Sequence, residues 1–189
     1  MEDRLSDEQK ALLLRCAREA ILNAVNGEIV EPVDLSDVPA RLRESGVTFI
    51  TLTNNGELRG CVGALKANKP LIHDAQEHAV AAALQDYRFP PVVLSDLPAI
   101  RIEISCLTAP VILDYENPVD LFNQIRPHVD GVIMRDGLRR ATFLPQVWEK
   151  LPTIEMFLDS LCRKMGAEPD LWRHKNLEVS VYQVEEFHE

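Results

Sequence analysis

The chain is short of basic residues. Lys and Arg number 20 against 30 Asp and Glu, a formal charge of −10. Non-specific nucleic-acid binding draws its affinity from a Lys/Arg surface, so a nucleic-acid-associated role is the weakest reading, although a local basic patch is compatible with the total. No apolar run reaches the ~18 residues that a membrane span needs. The stretch from Met1 to Lys10 also lacks the cationic region and following apolar region of a leader. These absences predict a cytoplasmic protein with no membrane partner. The four cysteines (Cys16, Cys61, Cys106, Cys162) contain no C-x-x-C pair, which removes the ligand spacing of a structural zinc knuckle and argues against a disulfide framework. A phosphate loop, a dinucleotide fingerprint, a G-x-S-x-G elbow and H-E-x-x-H are all missing.

What is present is an ordinary globular balance, 46% hydrophobic and 26% charged residues over 189 positions. That length fits a single domain, 1–189, or one domain with two lobes. Ser6 and Gln9 form a capping box that opens a helix over 6–26, with Leu13, Cys16, Ala17, Ala20, Ile21 and Ala24 on one face and Asn26-Gly27 as its stop. Glu28 to Ala40 is too rich in Pro and Asp for regular structure, and a helical turn is expected through Arg41 to Ser45. From Val47 the period becomes two. Asn55-Gly56 is a hairpin turn between Val47–Thr53 and Leu58–Ala64, a helix follows from Leu71 to about Gln85, and Ile100 to Thr108 alternates as a strand.

A second round repeats the kind of elements. Val111 to Leu113 reads as a short strand and Pro118 to Ile125 as a short helix. A hairpin turns at Asp136-Gly137, Thr153 caps a helix that stops at Gly166, and Leu177 to Val184 alternates. The return strands pair Leu58-Arg59-Gly60-Cys61 with Leu138-Arg139-Arg140-Ala141, placing Ala141 opposite Cys61. The pattern predicts an α+β fold: a mainly antiparallel sheet with packed helices, in two lobes (about 47–108 and 111–185) from a β-hairpin–α–β duplication, with a cleft between them.

Arg59-Gly60-Cys61-Val62-Gly63 carries the most chemistry. Glycine weakens a strand, so two glycines around one cysteine imply a bulge or the close approach of backbone or ligand. Cys61 is the candidate nucleophile. Strict alternation puts Arg59 on its face, where a guanidinium favours thiolate. The bland alternative is a tightly packed strand with a buried thiol, as expected for the other three cysteines. His73 and His78 lie five apart on the following helix, so their directions differ by roughly 140°, and at most one faces Cys61. Arg88 either clamps an anionic ligand or pairs with Asp86 to hold its loop. Glu103 is a candidate base or cation ligand if its strand face looks into a groove, and solvated surface otherwise. One of Arg139 and Arg140 is expected to face that groove, and Thr142 supplies a neutral hydrogen-bonding group.

Taken together, these segments resemble the AMMECR domain family. Leu58-Arg59-Gly60-Cys61-Val62-Gly63 is similar to that family's signature hexapeptide, with Val62 for isoleucine. Asp86-Tyr87-Arg88-Phe89-Pro90-Pro91, Ile102-Glu103-Ile104-Ser105, Asp130-Gly131-Val132 and Ala141 to Trp148 follow in the family's order, so the likeness covers nearly all of the chain after Leu5. Tyr87 departs from a frequent proline. The resemblance implies a two-lobed α+β fold with a cleft lined by the hexapeptide. By motif it assigns a site to Arg59, Gly60, Cys61 and Gly63, with Asp86, Arg88, Glu103 and Thr142 as neighbours. It implies no established activity or cofactor. Many prokaryotic relatives look like partners of a Memo-family dioxygenase-like protein and a radical-SAM protein. Two functional classes follow. One is a cysteine-dependent enzyme or modifying factor acting on a small anionic substrate. The other is a non-catalytic adaptor that binds a protein partner, its glycines serving close packing alone.

Overall fold

A computed structural model of the chain describes residues 4–64 and 66–189. Of the stretch from Met1 to Lys10, the first three residues lie outside the described residues. Among those described, no helix is long and apolar enough to cross a membrane. The fold is mixed α+β, with six α-helices and two four-stranded antiparallel sheets among the described residues. It divides into two compact units, Met1–Leu107 with Glu185–Glu189, and Thr108–Val184.

In the first unit, α1 (Asp7–Val25) starts from the capping box, with Ser6 Oγ accepting from the Gln9 amide and Gln9 Oε1 from the Ser6 amide. The expected turn near Arg41 is α2 (Ala40–Arg43). Strands β1 (Val47–Asn54) and β2 (Glu57–Gly63) join through Asn55 and Gly56, both at positive φ (51° and 85°), as a type I′ turn requires. Helix α3 (Leu71–Leu84) and β3 (Ile100–Leu107) complete the round. Ile50, Leu52, Ile100, Ile102 and Ile104 meet Leu13, Ala17 and Ile21 of α1 and Ile72, Ala75, Ala79 and Ala83 of α3 in one core. The alanine face of α3 lets the helix backbone come down onto the sheet. Gly60 marks the contact: a Cβ there would lie 2.1 Å from the Ala82 carbonyl oxygen.

The second unit has its own core. Its elements are β4 (Val111–Ile112), α4 (Pro118–Gln124), β5 (Gly131–Asp136), β6 (Arg139–Phe143), a 3₁₀ turn (Pro145–Glu149), α5 (Ile154–Lys164), α6 (Leu171–His174) and β7 (Glu178–Tyr182). Phe157, Leu158 and Leu161 of α5 pack with Val132, Met134, Val179 and Trp148, whose ring stacks on Phe157 at 3.8 Å between centroids. The expected closing strand is two strands. It breaks at Gln183, and β8 (Val184–His188) joins the first sheet.

The strand orders of the two sheets correspond. They are β2-β1-β3-β8 and, read from the hairpin, β6-β5-β7-β4. Each round supplies hairpin and third strand to its own sheet, and the short strand after that third strand completes the other sheet. At the two crossing points the Thr108 amide donates to the Gln183 carbonyl and the Gln183 amide to Thr108 Oγ1, both at 2.9 Å.

The close approach at Gly60 sets a stability prediction. Gly60→Ala forces backbone against backbone, where nothing yields cheaply. It should cost about 1–3 kcal/mol, the range for overpacked cores, read as a lower urea midpoint with unchanged slope. A variant as stable as the parent would mean that α3 does not rest on β2.

Candidate functional site

Register explains which side chains share a surface. Across the first sheet, Leu52 pairs with Gly60 and Ile102 on the core face, while Thr51 pairs with Cys61 and Glu103 on the face away from α1 and α3. The candidate nucleophile and the candidate base therefore lie in one row, with Thr51 between them. All three are half-buried. Thr51 Oγ1 donates to Cys61 Sγ at 3.5 Å. Two strand spacings of ~4.8 Å separate Cys61 from Glu103 by about 10 Å, too far for direct proton transfer between them.

A one-residue irregularity rearranges the rest. Thr53 pairs with Leu58 but Leu52 with Gly60, leaving Arg59 unpaired in a β-bulge. The alternation that would set Arg59 beside Cys61 does not hold across a bulge. Its guanidinium instead donates to the Pro90 and Pro91 carbonyls at 2.6 and 3.1 Å and to Asp96 Oδ2 at 3.3 Å. The bulge also corrects the residue pairing of the duplication. Counted from the turns, Met134 pairs with Ala141 as Leu52 does with Gly60, and Ile133 pairs with Thr142 as Thr51 does with Cys61. The counterpart of Cys61 is Thr142. Ala141 belongs to the core face.

The expectation of bulge or close approach is met twice over: the bulge at Arg59 precedes the close approach at Gly60. At Gly63 a Cβ would fall 2.4 Å from the Phe49 ring, which lies over that glycine. Both glycines serve packing.

Cys61 is the one half-buried cysteine of the four; the others are buried. β2 is an edge strand, and at residue 61 both main-chain groups point outward. Asp86 Oδ2 accepts from the Cys61 amide at 2.8 Å, and Arg88 Nη2 donates to the Cys61 carbonyl at 3.2 Å. The two clamping side chains bond each other, Arg88 Nε to Asp86 Oδ1 at 2.9 Å and Nη2 to Oδ2 at 2.6 Å. Of the two sequence readings of Arg88, the Asp86 pairing is present. Asp86 retains 4% side-chain exposure and Arg88 45%. The Asp86 carboxyl is held well below the usual carboxylate range, chiefly by the Arg88 hydrogen bonds, with burial opposing and the Cys61 and Arg88 amides assisting. The Arg88 guanidinium is correspondingly held above its ordinary value, by Asp86 first, with Cys61 contributing.

Thr142 is buried in the second unit, where Oγ1 donates to the Val132 carbonyl at 2.9 Å and lies 3.1 Å from the Tyr182 hydroxyl. Arg139 spends its guanidinium on Asp136 and the Gly166 carbonyl. Sequence reasoning missed Thr51, whose place was available from the hairpin count, and Asp96, which gave no signal because its partner Arg59 is turned by the bulge. Among the described residues no group of three or more His, Cys, Asp or Glu could hold a metal.

The clamp carries a pH signature. A carboxyl whose folded value lies below its unfolded ~3.9 stabilises the fold above that pH, and the contribution disappears as pH falls through the folded value. The stability gap between parent and Asp86→Asn should be widest near neutrality and narrow below about pH 4, in urea titrations at several pH values. A gap independent of pH would contradict the ion-pair account.

Comparison with known proteins agrees with this architecture. The AMMECR1 family model matches residues 14–187. The chain is 38% identical to a protein of Methanothermobacter thermautotrophicus, over 98% of this chain and 96% of the relative, and 37% identical to one of Thermofilum pendens, over 97% and 91%. It is also similar to the crystal structure of an uncharacterised protein from Pyrococcus horikoshii, with a TM-score of 0.82, 32% identity, and coverage of 98% and 93%. A match across nearly every element described above, hexapeptide strand included, settles the lineage: the chain belongs to the AMMECR1 family.

Proposed function

We propose that this chain is a cysteine-dependent enzyme or modifying factor, with Cys61 as its reactive group and a small anionic molecule as its substrate, acting beside Memo-family and radical-SAM proteins. The observation that carries the reading is the fixing of one residue at both main-chain groups. Asp86 and Arg88 hold the Cys61 amide and carbonyl, and the thiol keeps an opening on the sheet face beside the Thr51 hydroxyl. Reactive groups work when held by supporting bonds rather than left to a mobile loop. Arg88 spends Nε and Nη2 on the clamp and leaves Nη1 uncommitted among the described residues, with 45% of the side chain exposed. That edge can meet an anion. Glu103, at the far end of the row, acts on bound substrate rather than on the thiol.

The second reading, an adaptor, is favoured by the loop the clamp rigidifies. Tyr87 is 95% exposed between Asp86 and Arg88, and Val93 and Leu94 are exposed further along. Exposed apolar side chains on a hydrogen-bonded loop suit a protein contact.

Alkylation separates the two. Burial pushes the Cys106 thiol up to about 12, and those of Cys16 and Cys162 are raised by burial as well. Iodoacetamide at neutral pH, followed by peptide mapping, should modify Cys61 stoichiometrically, at least about tenfold faster than the other three. Equal or slower reaction at Cys61 would remove the enzyme reading and leave the adaptor.

A further inference from the structure

The first sheet has a second polar centre on its other face, under α3. Asp74 and His78 stand one turn apart and are 2% and 8% exposed. Asp74 Oδ2 accepts from the Thr48 amide at 2.7 Å and from Thr48 Oγ1 at 2.8 Å, and lies 3.0 Å from His78 Nδ1. A ring nitrogen facing a carboxylate at that distance carries the proton, since two lone pairs would repel. In the neutral ring Nε2 then holds the free lone pair. That atom has no partner among the described residues, yet it is not among the side-chain polar atoms sealed from solvent without one.

Nε2 opens onto a groove of about 700 Å³ along α3, walled by Val30, Pro32, Val62, Val80 and Ala81. The far wall is the extended segment after α1. It is pinned to α3 by His73 Nε2 on the Val33 carbonyl (2.8 Å) and by Gln76, which accepts from the Val33 amide and donates to the Glu31 carbonyl. Lys69 and Glu77, also lining the groove, neutralise each other. The volume suits a small organic ligand. The lining is mixed, with Glu31, Gln76 and Gln85 beside the aliphatic side chains; those side chains can hold an apolar body, and the nitrogen asks for a donor.

We infer that this groove is a second ligand site, in which the Asp74-oriented His78 Nε2 accepts a hydrogen bond from the hydroxyl of a small molecule with an apolar body, of the phenol class. The arrangement is that of a histidine poised by a carboxylate, with the ring's outer nitrogen aimed at the ligand. It lies on the sheet face opposite Cys61 and is independent of the thiol chemistry.

The test uses the intact chain. Nitrogen-15 NMR should find the His78 ring protonated at Nδ1 and bare at Nε2, with the Nε2 resonance moving when 4-fluorophenol is added. Fluorine NMR should show 4-fluorophenol binding about tenfold more tightly than fluorobenzene, the ratio expected for one good hydrogen bond. His78→Phe, which has no acceptor, should erase that ratio, and Val80→Trp, at a groove-lining residue outside the dyad, should abolish binding of both. A proton on Nε2, equal binding of the two probes, or no binding at millimolar concentration would each overturn the inference. The tautomer result stands on the parent chain even if a variant fails to fold.

Discussion

The site depends on a carboxylate and a guanidinium closing over the main chain of one residue. An edge strand leaves outward amides and carbonyls to water or to another chain, and at Cys61 Asp86 and Arg88 take both. Hydrogen bonds to charged groups contribute roughly 1.5–3 kcal/mol against about 1 for neutral pairs, so the clamp outcompetes water. Its loop is secured a second time by Arg59, bound to Pro90, Pro91 and Asp96. The cations of the motif segments, Arg59 and Arg88, are largely engaged in building the place where the thiol sits.

The two faces of the first sheet divide the work. Gly60 admits the backbone of α3 on the core face, and the same helix brings Asp74 and His78 against Thr48. On the opposite face the row of Cys61, Thr51 and Glu103 runs across three strands. In the second sheet the matching row is Thr142, Ile133 and Ser180, which holds no thiol or carboxylate. The same strand order occurs in both sheets. The candidate chemistry is present once.

Local rules made much of this legible. The capping box, the Asn55-Gly56 turn and the alanine face of α3 each follow from short-range physics, and the resemblance carried by the hexapeptide agrees with the family match. Two features escaped for definite reasons. A bulge changes no residue type and leaves no periodic signal, so Arg59 was expected beside Cys61 and Ala141 opposite it. The final strand has apolar residues on both sides of Gln183, so its switch between sheets is invisible to alternation. The tertiary pairing of Thr48 with Asp74 and His78 spans up to 30 residues and has no sequence signature of its own.

The most direct measurement is hydrogen exchange at the Cys61 amide. On an uncapped edge strand this outward-facing proton would exchange near the rate of an unstructured peptide. Closed by the Asp86 carboxylate, it should be protected to the level of the β1 amides that point into the sheet, and the protection should vanish in Asp86→Ala. Rapid exchange of that single proton in the parent protein would contradict the clamp and, with it, the held thiol on which the proposed chemistry rests.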